Sequence, residues 1–275
     1  MDQKFNIPSV EKKRQGSMRL WLANESIIKL ALGEIKIEGK ENIDKIPLNA
    51  NIVIMSTHLT DLDIPIVIHS IARDLDIAVT NMSVHHKFFG KEGEPSTNIG
   101  MRIAGKDNFI PIDYKRDTKG PGNKSAVSFN PNNFETAAES IDKGRAILIA
   151  AHKPLPEAKN SLENVKGGYG GVYLSQLREN TYILPVTVVL DKAAGMHGNE
   201  LDTLKKKPNA SVVIGEPFKP EKIPNIEQFS ILTKKREGGE ILNDEEMKEF
   251  SKISHALRNQ SENIIQLMSK QIETR

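Results

Sequence analysis

The chain of 275 residues contains no cysteine. Disulfide bonds, a thiolate nucleophile and cysteine-ligated zinc are therefore excluded. Long apolar runs are also missing, since no stretch approaches the roughly 18 apolar residues that a membrane-spanning helix needs. The N-terminal stretch MDQKFNIPSVEKKRQ is polar, so we expect no secretory signal there. Any contact with a membrane is therefore expected to be peripheral.

The chain also has no large excess of positive or negative charge. The formal net charge is +2, so no global field favours nucleic acid as a partner. The chain lacks the G-x-x-x-x-G-K-[ST] phosphate loop and the G-x-S-x-G hydrolase elbow. His85 and His86 are adjacent and have no carboxylate cluster beside them, so we predict no metal site.

Short runs rich in Ile and Val alternate with helical patterns along the chain. This alternation predicts an α/β fold, a single domain with a central mixed, largely parallel sheet flanked by helices. The strands are predicted at 34–38, 51–56, 77–81, 108–112, 146–151, 182–189 and 210–214, and the helices near 17–32, 62–74, 134–144, 169–179 and 244–272. In such sheets functional sites form beyond the carboxyl ends of the strands.

The same pattern divides the chain into three regions. We predict an N-terminal tail with an amphipathic helix at 1–33, an α/β domain at 34–233, and a C-terminal helix at 240–275 that packs on this domain. The stretch from Lys234 to Asn243 contains two glycines and is predicted to be a linker. Asn243 and Glu246 have the spacing of a capping box at the start of the last helix.

The first predicted helix has one strongly apolar face, and two interpretations of this face remain open. The face either packs on the core or lies in a membrane interface, with Trp21 at the level of the lipid headgroups. Its residues are Leu20, Trp21, Ile27, Ile28, Ala31 and Leu32.

The strongest candidates for catalytic residues follow the second predicted strand. His58 and Asp63 have the spacing H-x4-D, and His58 comes directly after the apolar run NIVIMS and Thr57. An imidazole in such a strand-to-helix loop can act as a general base, and a carboxylate can fix its tautomer and stabilise the imidazolium. His69 and Asp74 have the same spacing but fall in an apolar helical stretch, so we predict that His69 is a packed or surface residue.

With these residues the chain resembles the glycerol-3-phosphate and lysophospholipid acyltransferase superfamily. The first block of that family reads roughly N-H-x-S-x-x-D, and here Thr57 replaces the Asn and Thr60 the Ser. His58 and Asp63 match the catalytic pair of the family. The resemblance also implies that Thr57 and Thr60 contact the acyl donor or the lipid.

Two later segments resemble the second and fourth blocks of the family. Phe109 fits the strand end of the second block, and the resemblance implies that it contacts the acyl donor or lipid. The usual arginine of that block is displaced, and Lys115 and Arg116 are the cations expected to meet the substrate phosphate. Pro185 fits the fourth block and is also expected to contact the acyl donor or lipid.

The third block departs most from the family pattern, which is a strand followed by Pro-Glu-Gly-Thr-Arg. Here His152 stands for the Glu and Lys153 for the Gly, and no Arg lies nearby. Lys153 is expected to supply a cation to the phosphate. Gly167 precedes a predicted helix whose backbone N–H groups would face an anion.

The resemblance implies an O-acyltransferase of glycerolipid synthesis. It would move a fatty acyl group from acyl-CoA or acyl carrier protein to a hydroxyl of glycerol 3-phosphate, lysophosphatidic acid or a related lysophospholipid. No metal or prosthetic group is implied, and the expected location is the cytoplasmic surface of a membrane. The altered third block keeps two alternatives open: a lipid- or acyl-thioester-binding protein that has lost catalysis, and a thioester hydrolase in which His58 activates water.

Overall fold

Helices and strands alternate along the part of the chain that the computed structural model describes, which comprises residues 18–60, 62–80, 104–110, 131–152, 162, 165–191 and 205–273. The helices are α1 Met18–Ala31, α2 Asp63–Ile71, α3 Pro131–Asp142, α4 Gly170–Gln176, α5 Ile226–Glu237 and α6 Asp244–Glu273. The strands are β1 Ile35–Glu38, β2 Asn51–Ser56, β3 Ile77–Thr80, β4 Phe109–Ile110, β5 Ala146–Ala150, β6 Thr181–Leu190 and β7 Ala210–Ile214.

The described strands form one seven-stranded sheet in the order β1-β7-β6-β2-β5-β3-β4. All neighbouring pairs are parallel except β6 and β7, which are antiparallel. The predicted mixed, largely parallel sheet is therefore confirmed. Because β5, β2 and β6 run in the same direction, their carboxyl ends meet at one edge of the sheet, and the chain leaves β2 there towards His58.

The centre of the sheet is apolar on both faces. Ile54 and Leu148 belong to the cluster beneath α1 and α2, whereas Val53, Met55 and Ile147 belong to the cluster beneath the helices from α3 to α6. All five side chains are fully buried. Strands covered on both faces have continuous apolar sequences, which is why β2 and β5 could be predicted.

Helix α1 packs on the sheet through much of its apolar face. Leu20, Ile28 and Ala31 are buried in the core, which confirms the core-packing interpretation for them. Trp21 stacks on His69, and the Arg73 guanidinium lies 3.6 Å from the centre of the indole ring. These contacts bury Trp21 in part, and its suggested placement at the headgroup level stays a prediction. Within the described ranges, no helix is both long enough and apolar enough to cross a bilayer.

The helical C-terminal region begins earlier in the chain than the sequence suggested. Helix α5 was not predicted, and it extends to Glu237, so the first four residues of the predicted linker are helical. The predicted capping box of α6 is confirmed: the Asn243 N–H donates to Glu246 at 3.1 Å, and the Glu246 N–H donates to the Asn243 side chain at 2.9 Å. Helix α6 then packs on the domain through its buried apolar side chains.

Candidate active site

Thr57 fixes the direction in which the chain leaves β2. Its N–H donates to the Val186 carbonyl at 3.2 Å, and its hydroxyl oxygen accepts from the Val188 N–H at 2.9 Å. The side chain is fully buried. Thr57 therefore extends the pairing between β2 and β6 by one residue beyond the strand. Its predicted contact with the acyl donor stays a prediction.

Asp63 is the first residue of α2, and its carboxylate folds back over the preceding loop. One oxygen accepts from the Leu59 N–H at 2.6 Å, and the other accepts from the Thr60 hydroxyl at 2.6 Å. The Thr60 hydroxyl oxygen also accepts from the Leu62 N–H at 3.2 Å. A fully buried carboxylate requires such donors, since burial without them is costly. These bonds join Leu59, Thr60, Leu62 and Asp63 in one turn.

This turn holds the ring of His58. The His58 Nδ1 atom lies 3.1 Å from the Thr60 carbonyl oxygen, and the residue is only 4% exposed. A carbonyl oxygen can only accept a hydrogen bond, so the contact requires a proton on Nδ1. A neutral ring with its proton on Nδ1 carries its lone pair on Nε2, the atom that can act as a general base. Asp63 supports this arrangement through Thr60.

A second histidine contacts the same loop from the neighbouring strand. His152 follows β5, is 1% exposed, and accepts the His58 backbone N–H on Nε2 at 3.0 Å. The sequence indicated His152 only as a substitution for the glutamate of the family. The contact joins residues 94 positions apart, and no local pattern in the sequence predicts it.

Gly167 lies beside this second histidine and pairs with it in an antiparallel bridge. A Cβ atom on Gly167 would lie 2.9 Å from the Ser261 backbone, so the lack of a side chain lets the loop approach α6. The neighbouring Gly168 N–H donates to the Ala151 carbonyl at 2.7 Å. The predicted contact between Gly167 and a phosphate stays a prediction.

Phe109 and Pro185 lie within the sheet. Phe109 pairs with Val79 and packs, half-buried, against the core beneath α1 and α2. Pro185 is buried in β6 and pairs with Met55 on β2. Its carbonyl accepts from the Gly215 N–H at 2.8 Å, directly after the end of β7 at Ile214. The predicted lipid contacts of both residues stay predictions.

The remaining predicted residues are the cations. Lys115, Arg116 and Lys153 lie outside the described residues, so their phosphate contacts stay predictions. In the ranges that the structure does describe, no group of three or more His, Asp or Glu side chains is arranged to hold a metal ion.

The fold and the site together define an α/β protein with a histidine held at the carboxyl end of a central strand. No family model matches the chain, and no curated protein matches it. Among solved structures, this chain is similar in fold to the crystal structure of the 1-acyl-sn-glycerophosphate (LPA) acyltransferase PlsC from Thermotoga maritima. The match covers 93% of this chain and 79% of that chain, with a TM-score of 0.47 and 14% sequence identity. A likeness of this size carries no functional inference, so the function has to be inferred from the residues of this chain.

Proposed function

We propose that the chain is an O-acyltransferase that moves a fatty acyl group from a thioester to a hydroxyl of glycerol 3-phosphate, lysophosphatidic acid or a related lysophospholipid. The observation that carries this proposal is the contact between His58 Nδ1 and the Thr60 carbonyl at 3.1 Å. It directs the basic lone pair to Nε2, at the edge of the sheet where sites of α/β proteins form.

The reaction needs one base and no protein nucleophile. His58 Nε2 removes the proton from the acceptor hydroxyl as its oxygen attacks the thioester carbonyl. The tetrahedral intermediate then collapses, the carbon–sulfur bond breaks, and the imidazolium returns the proton to the leaving thiolate. Atoms and charges balance without a cofactor. Because the step also needs no thiolate nucleophile, it is compatible with a chain that has no cysteine. Such a base typically contributes about 10²- to 10⁴-fold in rate.

The other parts of the proposal follow the resemblance of the sequence. Asp63 orients the base, Lys115, Arg116 and Lys153 meet the phosphate of the acceptor, and acyl-CoA or acyl carrier protein is the donor. The bonds from Asp63 to the turn that holds His58 support its role as the orienting group. No metal and no prosthetic group takes part in the proposed reaction.

The test is the release of free thiol from acyl-CoA and from acyl carrier protein by the purified chain. Glycerol 3-phosphate and lysophosphatidic acid are each added and omitted, and the acylated product is identified by mass. We expect release that depends on an acceptor and that falls at least about 100-fold in His58→Ala. His255→Ala is the matched control, because His255 is exposed on α6 and outside the loop.

Each alternative has its own result in this assay. Release that does not depend on an acceptor indicates a thioester hydrolase. Tight binding of a lysophospholipid with no product from either donor indicates a binding protein that has lost catalysis. Full activity in a folded His58→Ala variant contradicts the proposed base.

We further propose that α1 brings the site to the cytoplasmic surface of a membrane. Met18, Leu22 and Leu30 on this helix are exposed by more than half, and Met18 and Leu22 are neighbours four residues apart; we call these three side chains the apolar ridge of α1. Exposed Arg19 and Lys29 on the same helix suit anionic headgroups.

Binding to vesicles of phosphatidylcholine and phosphatidylglycerol tests this surface. We expect Leu22→Glu to weaken binding at least about tenfold, because it removes a leucine from the apolar phase. Ile241→Glu is the control, because Ile241 is 96% exposed and lies away from α1 in the chain. Equal binding of both variants contradicts a role for the ridge.

A further inference from the structure

The pairing between β2 and β5 is interrupted where His58 begins. Ser56 pairs with Ala150, and the Ala151 N–H donates to the Ser56 carbonyl at 2.7 Å. In a parallel ladder the next bond runs from the His58 N–H to the Ala151 carbonyl. That carbonyl instead accepts from the Gly168 N–H at 2.7 Å.

The side chain of His152 replaces the carbonyl that the ladder has lost. Its Nε2 atom accepts the His58 N–H at 3.0 Å, in a place that is almost completely buried. A nitrogen that accepts a hydrogen bond carries no proton, so the His152 ring is neutral with its proton on Nδ1. Without this acceptor, a buried backbone N–H would be left unsatisfied.

His58 is therefore held at two points. The Thr60 carbonyl holds its ring at Nδ1, and His152 holds its backbone at the N–H. The first contact sets the tautomer and the second sets the position of the Cα atom from which the ring projects. Both are needed to direct Nε2, because a displacement of about 1 Å in a reacting group costs as much as 100-fold in rate.

We propose that His152 is a positioning residue for the base of the acyl transfer, and that it acts through the hydrogen bond from the His58 backbone N–H to its Nε2 atom. This inference rests on the proposed function, since it assigns His152 to the same reaction. His152 does not need to touch the substrate in order to act in this way.

Two substitutions of similar chemistry and different reach test the proposal. The side-chain oxygen in His152→Gln reaches the place of Nε2, whereas the oxygen in His152→Asn reaches only the place of Nδ1. We expect His152→Asn to lower kcat about tenfold with KM within a factor of two, and His152→Gln to keep kcat within about threefold of the wild type. His152→Leu, which has no acceptor, is expected to behave as His152→Asn does.

Three kinetic results overturn the proposal. They are an unchanged kcat in folded His152→Asn, a rise in KM with kcat unchanged, and an equal loss of kcat in the Gln and Asn variants. The last result indicates that His152 matters for packing alone. Circular dichroism and the midpoint of thermal unfolding show which variants are folded.

Hydrogen exchange at the His58 amide is the readout that does not depend on activity. We expect a protected amide in the wild type and in His152→Gln, and faster exchange in His152→Asn. An unprotected amide in the wild type overturns the proposal even if the enzyme is active. If the wild type transfers no acyl group, the proposed function fails and the kinetic role fails with it. The exchange still shows whether His152 holds the loop.

Discussion

The spacing H-x4-D occurs three times in the chain, and the two copies that the structure describes, His58 with Asp63 and His69 with Asp74, have different structures. His58 and Asp63 lie in the turn between β2 and α2, where the Asp63 carboxylate binds the Leu59 N–H and the Thr60 hydroxyl. His69 lies within α2 itself, and Asp74 follows that helix. The Asp74 carboxylate lies 3.3 Å from Lys40, and the His69 ring stacks on Trp21.

The backbone explains this difference. In the second copy Asp74 lies beyond the end of α2, and its carboxylate contacts Lys40 while His69 contacts Trp21. In the first copy the loop turns back on itself, so its carboxylate reaches the backbone beside the histidine. The spacing alone therefore has little predictive value, whereas the spacing at the end of a buried strand predicts a site.

The largest expected difference between the two copies is in turnover. His58→Ala is expected to lower kcat at least about 100-fold because the proposed base is lost, whereas His69→Ala is expected to keep kcat within about threefold. Thiol release under saturating donor and acceptor measures both variants. A comparable loss in folded His69→Ala would remove the distinction between the two copies.

The two aspartates are expected to differ in their effect on stability. Asp63→Ala leaves the buried Leu59 N–H and Thr60 hydroxyl without their acceptor, so we expect a loss of about 3 kcal/mol in the free energy of unfolding. Asp74→Ala removes a partly exposed ion pair with Lys40, and we expect a loss below about 1 kcal/mol. Urea unfolding at equilibrium measures both. Equal losses would show that Asp63 does not organise the turn.

Thr60 is expected to show a smaller effect in the same turn. Thr60→Val keeps the shape but removes the hydroxyl between Asp63 and the Leu62 N–H, so we expect a loss of about 1–2 kcal/mol and a lower kcat. Thr60→Ser keeps the hydroxyl and is the control. An unfolding free energy that is the same in the Val and Ser variants contradicts the assigned bonds.

The smallest expected effect concerns the pH dependence of stability at the second copy. Burial lowers the pKa of His69. The positive charges of Arg73 and Lys29 lower this pKa further, whereas Glu25 raises it. The unfolded chain, with a histidine pKa near 6.5, therefore binds the proton more readily, so stability is lost as the pH falls below that value. Urea unfolding at pH 7, 6 and 5 should show a smaller loss in His69→Phe than in the wild type. Equal losses would contradict a neutral, half-buried His69.

Most of the fold could be predicted from the sequence. Each described strand agrees with its prediction to within one or two residues at the ends that the structure describes, because buried β-branched runs are long and bounded by polar turns. Helix α5 was missed although Ile226, Phe229 and Leu232 are buried at a spacing of three. Exposed Ile231 and the basic end of that helix hide its apolar face.

The site could be predicted only in part. His58 and Asp63 could be proposed from the sequence because their loop follows a buried strand and because the spacing is local, and their catalytic roles stay predictions. The contacts of the Thr60 carbonyl and of His152 with His58 could not be predicted, since one is made by a backbone atom and the other comes from a distant strand. The sequence shows only that His152 stands where the third block of the acyltransferase family has a glutamate.

The position of the proton on the His58 ring decides whether Nε2 can act as the base. Nitrogen-15 NMR of the labelled chain at neutral pH separates a protonated ring nitrogen from one that carries a lone pair. The Thr60 contact predicts that Nδ1 of His58 is protonated and that Nε2 carries the lone pair. A neutral ring with its proton on Nε2 would contradict the account, because the atom assigned as the base would then hold no lone pair.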